Sequence, residues 1–528
     1  MAVFGKNILE NLTTGMYSDR RVMFREYVQN SCDAIDAAVK SGILELDDAR
    51  IDIVIDQVNS IITIEDNGSG ITSADFMRVL SDIANSDKSR SEDKGFRGIG
   101  RLCGLAYCSQ LQFISSSVNE DKASVMTWDA KKMRGMLNDN KKRTADEVLD
   151  AILDVDEIDT EKESHFFKVV MTGISKDSRA LLDTDAIRDY LSFEVPVPYD
   201  SAFMFYRQIL NHADKLGASI DEYPVYINDE QIFKQYRTRI YSFGKVHDEV
   251  KSIDFKDFYD ENDNLIAWMW FGLSSFNGQI KSENIQRGIR LRKDNIQIGS
   301  ARALRDQRLF PDNRANDYFI GEVFAVHPDL IPNARRDYFN ENTVRTTFES
   351  KLKEFFIVLW KLCNVASDER SDHRRVREYH TAVETYQEKI QTGFAGSVER
   401  ETLDAELEKK KELAEKAKKR LERPISSVPN NDTTAIELAQ RVKSIVSKVE
   451  GENTPDAPLP ALPTELSSDK NGNGEKAKPK YLTDGLSQYT RETRKVVGRI
   501  YDVINQTAPD IAEDLISNIQ TALKSKKE

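Results

Sequence analysis

The spacing of apolar and polar residues changes several times along this chain, and each change marks a new kind of element. From residue 1 to about 200, helical periodicity alternates with short β-type runs: IDIVID at 51–56, IITIED at 61–66 and FFKVVMTGI at 166–174. Residues 201 to about 346 read as a second mixed domain, with strands such as LIAWMWFGL at 265–273 and YFIGEVFAV at 318–326. From Thr347 to Leu421 the pattern turns helical and highly charged. Leu403, Leu407, Ala414, Ala417 and Leu421 fit an a/d seam that Lys410 interrupts, which predicts a short coiled coil or a long lever helix. Seven of the 14 prolines fall between Pro424 and Pro479, so 424–480 reads as a flexible linker carrying one helix near 433–449. Two helical patterns follow, at 485–506 and 509–524. The second places Pro509 in its first turn and aligns Ile511, Leu515, Ile516, Ile519 and Leu523 as an apolar stripe. Such a pair cannot bury its stripe alone, so it is expected to dock on the body or to dimerise. The resulting division is 1–200, 201–346, 347–423, 424–480 and 481–528.

Composition narrows the class. In 528 residues, 75 Lys+Arg stand against 88 Asp+Glu, a net charge of -13 that argues against coating nucleic acid by bulk charge. The four cysteines form no CxxC pair, which predicts free thiols in a reducing compartment. The first residues hold no apolar run of the secretory type, and no window approaches about 18 uninterrupted apolar residues. The expectation is a soluble, cytoplasmic, multidomain protein without a membrane partner.

Three segments carry the candidate chemistry. MFREYVQNSCDAIDAAV (23–39) reads as a helix whose Glu26, Asn30 and Asp33, at i, i+4 and i+7, project from one face. By itself this is equally an amphipathic helix with a solvated polar face. IITIE then runs into DNGSGIT (66–72), where Asp66 ends a strand and Gly68 and Gly70 permit tight geometry; a plain hairpin turn has the same features. GFRGIGRL (95–102) sets Gly95, Gly98 and Gly100 ahead of an apolar run, a pattern that can turn backbone N–H groups toward phosphate.

In this order and spacing the three segments resemble the N, G1 and G2 boxes of the GHKL (Bergerat-fold) ATPases. Among those, the 90-kDa heat-shock chaperones match best: REYVQNSCDA (25–34) is similar to their RELxxNxxDA helix, and LSDIANSDKSR (80–90) to the stretch leading into their lid. GISKDSRALLDTDAIRDYLSFEVPVPY (173–199) looks like the end of their nucleotide domain. The resemblance implies an α/β sandwich that binds ATP and Mg²⁺, followed by a mixed α/β transducer domain and a helical region.

It also implies residue roles. Glu26 would be the general base for water, Asn30 would coordinate Mg²⁺ through its amide oxygen, and Asp33 would support the site. Asp66 would accept the adenine amino group, Gly68 and Gly70 would let the base approach, and Gly95, Gly98 and Gly100 would line the phosphates. Thr172 would complete the adenine pocket, although the family order is Gly-Thr and this chain has Thr172-Gly173. Asn85–Arg101 would be a lid that closes over ATP. NARRD (333–337) is similar to the chaperones' middle-domain stretch that supplies a phosphate-sensing arginine, which selects Arg336, or Arg335 if the register slips.

RGIRLRKDNIQIG (287–299) resembles the transducer strands of MutL- and MORC-type ATPases, and its Arg287, Arg290, Arg292 and Lys293 fit either a nucleic-acid patch or a charged strand face. A histidine kinase is not expected, because only 25 residues precede Glu26. Walker A and GxSxG patterns are absent, and the six histidines show no metal spacing. Three readings stay open: an ATP-hydrolysing clamp with a client protein, a MutL- or MORC-like ATPase acting on DNA, and a non-hydrolysing scaffold. A homodimer is expected, from the apolar stripes after the linker and from what the resemblance implies.

Overall fold

A computed structural model describes residues 5–13, 19–81, 100–423, 433–452, 458–461 and 479–525. They fall into two compact units, Met1–Trp360 and Lys361–Glu528.

The first unit is built on two sheets. The first contains β1 (Ile51–Asp56), β2 (Ile61–Asp66), β3 (Gln110–Ser116), β4 (Lys122–Asp129), β5 (Leu153–Asp159), β6 (Phe166–Thr172), β7 (Val225–Ile227) and β8 (Glu230–Gln231), in the order β5-β4-β3-β6-β2-β1-β7-β8. All neighbours are antiparallel except β1 and β7. Helices α1 (Asn7–Thr13), α2 (Val22–Lys40), α3 (Ser73–Ser81), α4 (Ala130–Asn138), α5 (Ala145–Ile152) and α6 (Thr184–Glu194) accompany it. Their starts are fixed by side chains: Asp129 and Asp183 cap α4 and α6, and Thr144 with Glu147 forms a capping box on α5.

Alternation in the strands works as the sequence suggests. Ile51, Ile53 and Ile55 of β1 and Ile62 and Ile64 of β2 turn into the core, against Phe24, Val28 and Ile35 of α2. Asp66 continues the inward row of β2, so a carboxylate ends an apolar stripe.

The second sheet runs β13-β12-β14-β11-β10-β9, from β9 (Arg239–Ser242), β10 (Lys245–Tyr259), β11 (Leu265–Ser274), β12 (Gly288–Lys293), β13 (Ile296–Gln297) and β14 (Ile320–Ala325). Helices α7 (Tyr206–Lys215) and α8 (Ala303–Asp306) and the start of α9 (Thr343–Thr392) cover it. β11 is buried along both faces, which explains its unbroken apolar run, and β14 lies so close that a Cβ on Gly321 would stand 2.3 Å from the Trp270 carbonyl oxygen.

Within this core sits a buried charge cluster. Glu322 receives Arg292 Nε, Lys234 Nζ at 3.1 Å and the Tyr199 hydroxyl, while Lys234 also donates to Asn295 at 2.7 Å. Burial alone would raise the Glu322 carboxyl, but Arg292, Lys234 and Tyr199 outweigh it and bring it down to about 2.

The second unit is helical: the rest of α9, then α10 (Ser397–Leu421), α11 (Thr433–Gly451), α12 (Arg491–Thr507) and α13 (Ala512–Ser525). A turn at Gly393, which has φ +106°, sends α10 back along α9. Tyr386 bonds Asp404 and Arg420 bonds Asp372, while Tyr379, Val383 and Tyr386 pack on Leu407 and Ala414. The a/d seam is therefore spent on an antiparallel hairpin within the chain. Lys443 of α11 donates to the carbonyls of Leu421 and Arg423 at the end of α10.

The last two helices dock at the α9–α10 turn. Leu482 donates its N–H to Phe394 O at 2.8 Å, Glu399 N–H bonds Asp502 at 3.0 Å, and Tyr501 and Ile516 pack with Ala395. Ile516 is buried, whereas Ile511 and Leu515 of the predicted stripe stay exposed. All four cysteines are buried and none forms a disulfide, and among the described residues no helix is long and apolar enough to cross a membrane.

Removing the Glu322 carboxylate leaves two buried cations without a counter-charge. Glu322→Ala should cost about 3–5 kcal/mol, read by urea unfolding through the neighbouring Trp268 and Trp270 fluorescence. Because the folded-state pKa lies below the usual 4.5, the wild-type contribution is present above that pH and lost as pH falls toward about 2.

Candidate nucleotide site

The site starts from the burial of α2. Between Met23 and Ile35 every residue is buried except Glu26, Asn30 and Ala34, which are partly exposed at i, i+4 and i+8. Over this stretch the helix opens along one stripe only, and that stripe carries the predicted base and the predicted amide; beyond Ile35 the helix is exposed at Asp36, Ala37 and Lys40. Asp33, one residue to the side, is buried.

Two segments close on the stripe. At its start, the turn of Gly100–Ala106 lies against Glu26: a Cβ on Gly100 would stand 2.6 Å from Glu26 Oε2. The buried Tyr27 hydroxyl fixes this turn, donating to Arg101 O at 2.9 Å and accepting from Gly104 N–H at 3.1 Å. Further along, the loop after Asp66 packs on Ala34. Ser69 N–H bonds Ala34 O at 3.0 Å, and a Cβ on Gly68 would lie 2.6 Å from Ala34 Cβ. Asp66 is buried and accepts Gly68 N–H at 3.0 Å.

Gly70 has a purpose beyond the expected one. Its φ is +63°, and a Cβ there would stand 1.9 Å from Ser116 O, so the glycine lets the loop reach the end of β3. Ile71 N–H then bonds Ser115 Oγ at 2.8 Å, and Ser115 Oγ donates to Phe166 O at 2.8 Å.

The expected role of Thr172 is corrected by strand register. In the β2–β6 pair Asp66 lies opposite Phe167 and Thr172 lies opposite Ile61, at the far end of β2. Five strand steps separate the two ends, roughly 17 Å at the usual rise. The residue that reaches the loop after Asp66 is instead His165, whose Nδ1 lies 2.9 Å from Gly68 O. Antiparallel pairing of β6 with β2 is the only signal that would have selected it, and sequence alone does not fix that register. Gly95 and Gly98, with the predicted lid apart from Gly100 and Arg101, lie outside the described residues.

Arg25 and Glu194 were missed by motif reading. Arg25 is buried, with Nη2 at 3.0 Å from Glu26 Oε1 and Nη1 at 3.8 Å from Glu194 Oε2. Glu194 ends α6, and burial pushes its carboxyl up to about 7 against the opposing influence of Arg25, Arg290 and Arg292.

Of the two candidate arginines, Arg335 is exposed and Arg336 is buried, in a turn where Arg336 has φ +55° and accepts Gly299 N–H at 2.7 Å. The basic strand is not a nucleic-acid patch. Arg290 and Arg292 are buried, Arg292 on Glu322 and Arg290 on Gln297; Lys293 donates to His327 O, and Arg287 lies 3.7 Å from Asp317. Parallel pairing of β12 with β14, which sets Arg290 opposite Glu322, turns the strand into the core.

Residues 18–163 match the family described as histidine kinase-, DNA gyrase B- and HSP90-like ATPase. The chain is also similar to chaperone protein HtpG of Clostridium acetobutylicum, 27% identical over 222 residues, 36% of this chain and 35% of that one. Chaperone protein HtpG of Campylobacter jejuni is 26% identical over 144 residues, 23% of each chain, and that of Roseobacter denitrificans 25% over 142 residues, 24% and 23%. The similarity thus spans about a third or less of these relatives' own length. The family match takes in α2 and β1–β5 of the first sheet. The fold is an α/β GHKL-type ATPase domain followed by a second mixed sheet and a helical region.

Two substitutions separate the glycine and threonine accounts. Gly70→Ala should weaken ATP binding by about tenfold or more, since both φ and the Ser116 carbonyl oppose a side chain. Thr172→Ala should leave the dissociation constant within about twofold. Titration with a fluorescent nucleotide reads both.

Proposed function

We propose that this protein is an ATP-binding and ATP-hydrolysing conformational clamp, similar in its nucleotide chemistry to the HtpG chaperones. The observation that carries it is the single open stripe of α2, Glu26–Asn30–Ala34, closed at one end by Gly100 and at the other by the Asp66–Gly70 loop. The donor set fits the nucleotide: a buried carboxylate at a loop bonded to α2 suits an exocyclic amine, and a glycine-lined turn suits phosphate. Mg²⁺ supplies positive charge on the phosphate oxygens. Asn30 would hold it through one amide oxygen, in keeping with a cation that retains waters and takes few protein ligands.

Asp66 binds the adenine, with His165 holding the loop beside it, while Asp33 supports the site from α2. Gly100 lies along the phosphates beside the predicted positions of Gly95 and Gly98. Glu26 orients and deprotonates the attacking water, and Arg336 completes the charge at the γ-phosphate when the second sheet closes on the first. The segment Asn85–Arg101 acts as the lid.

A second copy of the chain is the proposed partner, with a client protein as the substrate of the clamp. Val496, Ile500 and Val503 on α12, Ile511 just before α13 and Leu515 on α13 are exposed. Arg491, Arg494, Lys495 and Arg499 make α12 basic, while Asp510, Glu513 and Asp514 make the next turns acidic, so two copies related by a two-fold axis are complementary in charge. The inward turn of β12 removes its basic residues as support for the DNA-acting alternative.

Glu26→Ala should retain ATP affinity and lose turnover by about 10²–10⁴-fold, whereas Asp66→Asn should abolish binding. A phosphate-release assay with and without DNA, beside nucleotide titration, separates the readings. Turnover unchanged by Glu26→Ala would overturn the catalytic assignment, and wild-type binding without turnover would leave the scaffold. Light scattering should show a dimer that Ile500→Glu with Val503→Glu converts to monomer.

A further inference from the structure

Cations gather on one short stretch outside the nucleotide site. In an acidic chain, residues 130–144 carry Lys131, Lys132, Arg134, Lys141, Lys142 and Arg143 against a single carboxylate, Asp139. That carboxylate is already engaged, 2.7 Å from Arg143 and 3.1 Å from Lys6. Lys131, Lys141 and Lys142 are exposed and form no ion pair among the described residues.

These lysines stand on a fixed platform. Lys131 N–H donates to Ser109 O at 3.0 Å and Arg134 Nη1 to Leu105 O at 2.8 Å, which ties α4 to the chain leading into β3. At the other end Lys6 Nζ donates to the carbonyls of Met136 and Asp139, at 2.8 and 2.6 Å, and closes the last turn of the helix. Ala130 and Met133 are buried, while Met136 and Leu137 pack on the core. The outward face is therefore Lys131, Gly135 and Asn138, at i, i+4 and i+7, all exposed and continued by Lys141 and Lys142. Packing does not require a glycine at 135, since a Cβ there would meet nothing within 4 Å. Glycine inside a helix weakens it, so its presence on this face points to a ligand backbone that comes close.

We propose that this face of α4, with the loop through Lys142, is a binding surface for the phosphate backbone of nucleic acid. Phosphate oxygens take lysine as a point charge, without the apolar anchors that a protein partner or a bilayer uses. Such anchors are missing here: between Gln110 and Leu153 no large apolar side chain is exposed among the described residues, and residues 130–144 include no aromatic. The spacing fits as well. From Lys131 to Asn138 the helix rises about 10 Å, roughly three phosphate steps along one strand. Acidic groups mark the limit of the track: α5, packed against α4, exposes Asp146, Glu147 and Asp150, and β5 exposes Asp154, Asp156 and Glu157, so a polyanion is confined to α4. Phosphate contacts of this kind position a duplex without reading its sequence. The surface is independent of the inward-turned cations of β12, and it goes beyond the ATPase reading, because it holds whether or not the chain hydrolyses ATP.

The test is fluorescence anisotropy of a labelled DNA duplex of about 20 base pairs, titrated with the full chain from about 50 to 200 mM salt. The wild type should bind, with the logarithm of its affinity falling linearly in the logarithm of salt. Lys131→Gln with Lys141→Gln and Lys142→Gln should weaken binding about tenfold or more and lower the salt slope by about two to three, near 0.9 for each lysine lost. A merely structural role for these lysines predicts no such proportional change of slope. Gly135→Leu should weaken binding about threefold or more while thermal stability holds or rises. No binding by the wild type at the lowest salt would overturn the proposal, as would affinity and slope that the triple variant leaves unchanged. Wild-type affinity in Gly135→Leu would overturn the close approach at α4. Tighter binding to vesicles of phosphatidylserine and phosphatidylcholine, or equal displacement of the duplex by polyglutamate of matched charge, would also overturn it and assign the face to a membrane or to an acidic protein.

Discussion

The enclosure of α2 is the constraint on which the rest of the nucleotide domain depends. A helix pressed on β2 by Phe24, Val28 and Ile35, and covered by Tyr27 and Cys32 on other sides, has almost no solvent in which to place polar groups. Each polar residue on it must therefore find a partner or face an opening. Asp33 and Gln29 are buried, Arg25 pairs with two carboxylates, and Glu26 and Asn30 take the opening. The same crowding explains Gly68: the loop after Asp66 comes so near to Ala34 that no side chain fits between them. The geometry of the stripe is a by-product of tight packing, since neither closing segment could slide without losing its contact to α2.

Much of this was legible in the sequence because its signals are local. The i, i+4, i+7 spacing of Glu26, Asn30 and Asp33 is a property of one helix, and the alternation in IDIVID and IITIED belongs to single strands. Non-local facts were out of reach. Thr172 and His165 differ in usefulness only through the pairing of β6 with β2, which assigns one to the end beside Asp66 and the other to the opposite end. Likewise RGIRLRK has the composition of an exposed basic strand, yet β14 beside it supplies Glu322 as an internal counter-charge. The a/d pattern in α10 is local, but what it packs on depends on a turn at Gly393 that returns the helix onto Tyr379, Val383 and Tyr386.

Burial also separates the two clusters of charge in the first unit. Around Glu322 two cations and the Tyr199 hydroxyl, which itself accepts the Trp270 indole N–H, meet one carboxylate, so the group is well supplied with partners and held low. That arrangement has one satisfactory geometry and functions as a fixed joint within the second sheet. Around Arg25 the ledger is reversed: one guanidinium is shared by two carboxylates, one of them at a longer distance and raised toward neutrality.

What a basic residue does on this fold is decided by the direction it faces more than by composition. Turned inward, it must meet an acid supplied by a neighbouring strand, as Arg292 of β12 meets Glu322 of β14, because an uncompensated buried cation is costly. Turned outward on α4 and the loop after it, Lys131, Lys141 and Lys142 are solvated and need no partner within the chain, so their charge stays available. RGIRLRK and AKKMRGMLNDNKKR are alike in their basic content, yet one is a joint within the second sheet and the other lies on the surface of the first. A net charge of -13 conceals that difference. Forces between exposed charges fade within about 8–10 Å at physiological salt, so an approaching ion responds to the nearest patch and not to the sum over the chain.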